Sequence, residues 1–196
     1  MKTVAISLLG TNLDRRGGQK RRFDTWRPNV ALCQQEDLLV DRLELLFDPR
    51  FSRTAEKLKD DIETTSPETQ VVLHEVPFPS PWDFESVYAT LLDFARDYAF
   101  DHSHERYLVH ITTGTHVAQI CLYLLTETHY LPGRLIQTSP SGGRHADPRG
   151  TYQIIDLDLS RYDQIASRFS LQFENDTARL KRGINTRNAQ FNAMID

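Results

Sequence analysis

The stretch Tyr107-Leu-Val-His-Ile-Thr-Thr-Gly-Thr-His-Val-Ala-Gln-Ile-Cys-Leu-Tyr-Leu-Leu125 changes its period halfway along. Tyr107 to Ile111 is an apolar run of the length of a buried strand. The run breaks at Thr112-Thr113-Gly114-Thr115. Val117, Ile120, Cys121, Leu124 and Leu125 then recur at the spacing of one helix face. Small hydroxyl residues and a glycine therefore stand where a strand becomes a helix. Unpaired backbone N–H groups and the positive end of the helix dipole point outward at such a junction, and both suit an anion. The expected ligand chemistry is phosphate, and so a nucleotide or RNA.

The same alternation extends in both directions. Strands are expected at Thr3 to Leu9, Leu38 to Phe47, Thr69 to Pro77 and Arg134 to Ser139. Helices are expected at Pro28 to Gln35, where the pattern is ambiguous, and at Ser52 to Thr64, with Ala55, Leu58 and Ile62 inward. Ser80-Pro81-Trp82-Asp83 has the residues of a helix start, with Ser at the N-cap and Pro after it, and Phe84, Val87, Tyr88, Leu91, Ala95 and Tyr98 continue the periodicity. Strands and helices in turn imply a mostly parallel sheet covered on both faces. A Gly- and Arg-containing loop, Ser139 to Gly150, interrupts the rhythm before a last strand at Tyr152 to Leu157. A long helix is expected from Ser160 to about Arg182.

The bulk numbers are those of an ordinary globular chain. It has 196 residues, 39% hydrophobic and 26% charged, with a net charge of −4. A general basic nucleic-acid binder is excluded by that charge, so any polyanion contact must be a local patch. Cys33 and Cys121 belong to no paired motif and read as reduced, buried thiols. Nothing resembles a signal peptide or a membrane span, so the expected location is the cytoplasm, with no membrane partner.

In a doubly wound sheet, ligands bind beyond the carboxyl ends of the strands where the strand order reverses. The loop after the first strand, Gly10-Thr11-Asn12-Leu13-Asp14, should there face Thr112 to His116. Its extension carries Arg15, Arg16, Lys20, Arg21, Arg22 and Arg27 against one acid, Asp24. Arginine forks fit phosphate oxygens, so Arg15, Arg16 and Arg27 are candidate contacts. Taken alone, a basic loop is more often solvated surface, and a Thr/Gly turn is often only a helix cap. Their expected convergence favours a site.

Other residues keep two readings. His116 faces either a phosphate or base, or a surface turn. Gln119 faces either the pocket or solvent, and Trp26 either packs or stacks on a base. His110, inside a strand, reads as a satisfied core residue. His102 and His104 lack a ligand set at metal spacing, so neither metal nor cofactor is expected. No G-x-S-x-G, H-E-x-x-H, Walker A or dinucleotide fingerprint is present.

Several blocks resemble the N-terminal sensor domain of the RtcR family of bacterial RNA-repair transcriptional activators. They include Trp26-Arg-Pro28, Cys33-Gln-Gln35, Asp41-Arg-Leu-Glu-Leu-Leu46, Pro81-Trp-Asp-Phe84, His110-Ile-Thr-Thr-Gly-Thr-His-Val-Ala-Gln-Ile-Cys121, Ile155-Asp-Leu-Asp-Leu-Ser-Arg-Tyr162 and Ile165-Ala-Ser-Arg-Phe169. That domain is a CARF domain, a CRISPR-associated Rossmann fold. The resemblance implies a dimerising regulatory module over residues 1–182, with 183–196 leading toward an AAA+ ATPase absent from the chain. It implies RNA with a 2′,3′-cyclic phosphate end, such as cleaved tRNA, as the ligand. Gly10, Thr11, Asn12, Asp14, Thr112, Thr113, Gly114, Thr115, His116 and Gln119 are the site residues it carries over. The whole family protein is expected to bind DNA and to act on RNA polymerase carrying the alternative, nitrogen-type sigma factor. The sensor domain itself is not expected to be an enzyme. The rival reading is a CARF-type ring nuclease or cyclic-phosphate hydrolase, with His116 as acid or base.

Overall fold

The computed structural model describes residues 1–17, 21–142 and 147–156. The chain divides into two units, Met1–Ile155 and Asp156–Asp196. Among the described residues, the first unit runs β1 (Lys2–Leu8), α1 (Pro28–Cys33), β2 (Arg42–Phe47), a 3-10 turn (Pro49–Phe51), α2 (Ser52–Thr65), β3 (Gln70–Glu75), α3 (Phe84–Asp97), β4 (Glu105–His110), α4 (His116–Glu127), β5 (Arg134–Ser139) and β6 (Thr151–Ile155). The long helix expected from Ser160 lies outside the described residues, as does the tail 183–196.

The strands form one sheet in the order β3-β2-β1-β4-β5-β6. All neighbours are parallel except β6, which runs antiparallel to β5. The order therefore reverses between β1 and β4, as the alternation of elements implies. Right-handed crossovers place α1 and α2 on one face and α3 and α4 on the other. The first face packs Ala5, Leu43, Leu45, Val71, Leu108 and Ile136 against Leu32, Leu58 and Ile62. Both faces are covered, so β1 and β2 are buried almost without a break, as the apolar runs of a parallel sheet require.

Three expectations shift, each for a local reason. Leu38 and Val40 are buried, but the chain ladders only from Arg42. Before that point Asp41 takes the Thr3 N–H on its carboxylate, and the Val40 carbonyl accepts from the Thr69 hydroxyl. The apolar run is core without being strand. Helix α3 begins three residues late, because Asp83 and not Ser80 is the N-cap, its carboxylate accepting from the Ser86 N–H at 2.8 Å. Ser80 to Trp82 become a turn instead. On α4 the buried stripe is Ala118, Cys121, Leu122 and Leu125, while Ile120 is exposed. The helix is turned so that Ile120 faces away from the sheet.

Beside β6, Gly150 has φ of +61°, and a Cβ there would meet the Ser139 carbonyl and the Trp26 indole. Trp26 is thus a packing residue against the loop before β6. Both cysteines are free and buried. No described helix is long and apolar enough to cross a membrane.

Candidate functional site

A cavity of about 650 Å³ opens at the carboxyl end of the sheet, at the β1/β4 reversal. The loop after β1 contributes Gly10, Thr11, Asn12, Leu13 and Arg16, and the turn after β4 contributes Thr113, Gly114 and Thr115. The two segments expected to converge do so. A third contributor, the end of β2 with Asp48, Arg50 and Phe51, and a fourth, the β3–α3 loop with Phe78, Pro81 and Trp82, complete the wall. Sequence reasoning assigned neither. The shifted start of α3 was the missing signal, since it frees Pro81 and Trp82 to line the cavity.

The floor is a chain of buried hydrogen bonds with one consistent direction. The Thr138 hydroxyl donates to His110 Nε2 at 3.0 Å, and His110 Nδ1–H donates to the Ser7 hydroxyl at 2.9 Å. Ser7 donates to Asn29 Oδ1, whose amide donates to Asp14 Oδ2 at 2.6 Å and to the Leu8 carbonyl at 3.0 Å. Asp14 also accepts the N–H groups of Gly10 and Asn29. Because the Ser7 hydroxyl donates to Asn29 Oδ1, it accepts from His110, which places a proton on Nδ1. Burial accordingly pushes His110 down to about 3. Burial pushes Asp14 up to about 6, against the pull of its three donors and of Arg27.

This floor relocates several expected ligand contacts. Asp14 does not line the cavity; its carboxylate pins Gly10 and α1 and is only 2% exposed. Arg27 is 3% exposed and pairs with Asp61 of α2 at 2.7 Å, so its charge serves the core. The Thr113 hydroxyl lines the cavity edge but donates to the Leu8 carbonyl at 2.6 Å, stitching the two site loops together. Thr112 exchanges hydrogen bonds with the Thr138 backbone, tying β4 to β5, and Gln119 reaches back to the Thr112 carbonyl. Neither Thr112 nor Gln119 lines the cavity. Arg15 is exposed outside it. His116 is exposed and packs its ring against Trp82, centroids 5.4 Å apart.

Gly10, Thr11, Asn12, Arg16, Gly114 and Thr115 remain at the cavity. No hydrogen bond occupies the N–H groups of Thr11, Asn12 and Leu13 among the described residues. Gly114 has φ of +87°, and a Cβ there would press on the Leu8 side chain at 2.8 Å. Only glycine allows this turn to lie so close to β1. Thr115 caps α4 by accepting from the Ala118 N–H, and its hydroxyl donates to the Pro81 carbonyl. Arg16, the free loop N–H groups and the start of α4 make one rim of the cavity favourable to an anion. Among the described residues no cluster of His, Cys, Asp or Glu is built to hold a metal.

A doubly wound sheet with this cleft at its reversal is a Rossmann-like α/β domain. The chain is similar to Csm6 of Enterococcus italicus, solved bound to cyclic hexa-2′-fluoro-hexa-dAMP. The TM-score is 0.61 at 13% identity, over 93% of this chain and 48% of that one. It is also similar to the protein VC1899 of Vibrio cholerae, with a TM-score of 0.52 at 8% identity, over 70% of this chain and 30% of that one. These likenesses concern the fold. Residues 1–183 match the RtcR family, described as Regulator of RNA terminal phosphate cyclase, and the chain belongs to that family. It is 55% identical over 197 residues to the transcriptional regulatory protein RtcR of Escherichia coli (strain K12), covering 100% of this chain. It spans 37% of that relative's length.

Proposed function

We propose that this domain is the sensor of a transcriptional regulator of RNA-repair genes, and that the β1/β4 cavity receives an RNA end bearing a 2′,3′-cyclic phosphate. The observation that carries the reading is the convergence of uncommitted N–H groups and Arg16 on one cavity, in a member of the RtcR family. A cyclic phosphate carries a single negative charge and compact acceptor oxygens. Backbone N–H groups and a guanidinium meet those without needing a second cation or a metal. Ligand binding releases a downstream AAA+ ATPase, with the DNA-binding and sigma-factor functions carried by the rest of the whole protein. Such a switch requires the ligand to bind the released state more tightly than the restrained one.

The domain pairs with a second copy of itself in this reading. The outer face of α4 supports it, since Ile120 and Tyr123 are exposed there. The test is binding of tRNA fragments ending in a 2′,3′-cyclic phosphate or in a 2′,3′-diol. The cyclic end should bind at least tenfold more tightly, and Asn12→Ala with Arg16→Ala should erase the difference. Equal binding of both ends by the unaltered domain overturns the reading.

A further inference from the structure

The cavity has two chemically different halves. The half made by the β1 loop and the turn after β4 is polar and backbone-rich. The other half is walled by Phe51, Phe78, Pro81 and Trp82. Charge divides in the same way. Arg16, Asp48 and Arg50 are the charged lining residues. Arg50 is held by Asp48 through a two-pronged pair at 2.7 and 2.8 Å, so the aromatic half carries no net charge. The Arg50 fork keeps Asp48 ionised, at about 2.

The aromatic wall is fixed from both ends. Asp48 accepts the Phe78 N–H at 3.0 Å, and Arg50 donates to the Phe78 carbonyl at 3.2 Å. The Pro81 carbonyl accepts from Thr115, the same residue that caps α4. The β3–α3 loop is thus clamped to the end of β2 and to the anion-facing turn. It presents Trp82 at the cavity with 66% of its surface exposed. The Trp82 indole, beside Phe51 and Phe78 in the cavity wall, offers a ring face to whatever enters the cavity. The cavity volume lies in the range of small-molecule sites.

We infer that the aromatic half is a nucleobase-stacking subsite in which Trp82 covers the terminal base while the polar half holds its phosphate. This rests on the reading of the cavity as an RNA-end site. The polar side chains of the wall, Asp48 and Arg50, are committed to each other and to the Phe78 backbone. The subsite therefore reads the presence of a base and not its identity, because every base offers a stacking face.

Trinucleotides with the same first two residues, bound to the domain and followed by calorimetry, separate the two claims. One ends in adenosine 2′,3′-cyclic phosphate, one in uridine 2′,3′-cyclic phosphate, one in an abasic ribose 2′,3′-cyclic phosphate and one in an adenosine diol. Loss of the terminal base should weaken binding about tenfold or more, and adenine and uracil should differ by only about threefold. Trp82→Ala should make the abasic and base-bearing ends equal, and Trp82→Phe should restore most of the difference. Trp82 is exposed, so an unchanged Tm confirms that the variants fold. Equal binding of abasic and base-bearing ends, with the cyclic end still preferred to the diol, overturns the stacking subsite and leaves the end-sensor reading standing. A base effect without preference for the cyclic end does the reverse. Failure of every oligonucleotide to bind overturns both, and a strong preference for one base overturns the claim of tolerance.

Discussion

At the amino end of the sheet, Arg42 forks between Glu44 and Glu105, with His74 and Tyr98 also on Glu44. At the carboxyl end, Asp14 sits among neutral donors, and the histidine of that cluster is uncharged. Burial raises Glu44, yet hydrogen bonds from His74, Tyr98 and Arg42 outweigh it and hold the carboxyl below its usual range. Asp14 has donors of comparable number but no guanidinium on its carboxylate, and burial prevails there. Both ends hold buried acid, but Glu44 is paired with a guanidinium, whereas Asp14 is held by neutral donors alone. The carboxyl end carries a cavity above the hydrogen bonds of Asp14.

The largest expected effect is at the amino end. Glu44→Ala removes the acceptor shared by Arg42, His74 and Tyr98, leaving Arg42 with Glu105, and should cost about 3 kcal/mol in urea unfolding, with ligand preference unchanged. A loss below 1 kcal/mol would mean that solvent reaches the cluster freely. Asp14→Ala leaves the Gly10 and Asn29 donors without their acceptor. It should cost about 2 kcal/mol and also weaken ligand binding, because the same loop carries Thr11 and Asn12. Stability and binding should fall together at the carboxyl end and separately at the amino end.

Acid titration sharpens the contrast. The folded pKa of His110 is lowered from 6.5 to about 3, so its stabilisation is present above 6.5 and is lost as pH falls toward 3. The folded pKa of Asp14 is raised from 3.8 to about 6, so its contribution is fully present below 3.8 and is lost as pH rises through 6. The two slopes oppose each other between pH 6 and pH 4, each amounting to about 3 kcal/mol across that window. Thermal unfolding of the unaltered domain should change little there. Asp14→Asn should lose stability steadily toward pH 4, and His110→Gln should gain it. Parallel profiles for the two variants would show that the floor does not titrate as a pair.

The smallest effect is on the rim. Arg16→Ala should leave Tm within about 1 °C and reduce the salt dependence of RNA binding by about one counterion. Arg15→Ala, outside the cavity, should leave the slope unchanged. An equal reduction for both would make the loop a diffuse attractor without a defined contact.

Much of this was legible along the chain. The change from a strand period to a helix period at Thr112 to Thr115 located the switch point. Alternating strands and helices implied the parallel sheet, and β5 was bounded correctly at Arg134–Ser139. These are local properties, set by side-chain spacing and by the turn chemistry of glycine and threonine. Tertiary structure alone assigned the direction of each polar group. The Thr113 hydroxyl finds its partner in Leu8, 105 residues away, and Arg27 finds Asp61, 34 residues away. A basic or hydroxyl residue in a loop has the same composition whether it turns toward a ligand or into the core. Desolvation and the partners brought by distant segments decide between the two, and those partners exist only once the sheet has formed. Trp82 joined the cavity in the same way, through an N-cap chosen three residues later than its neighbours suggested.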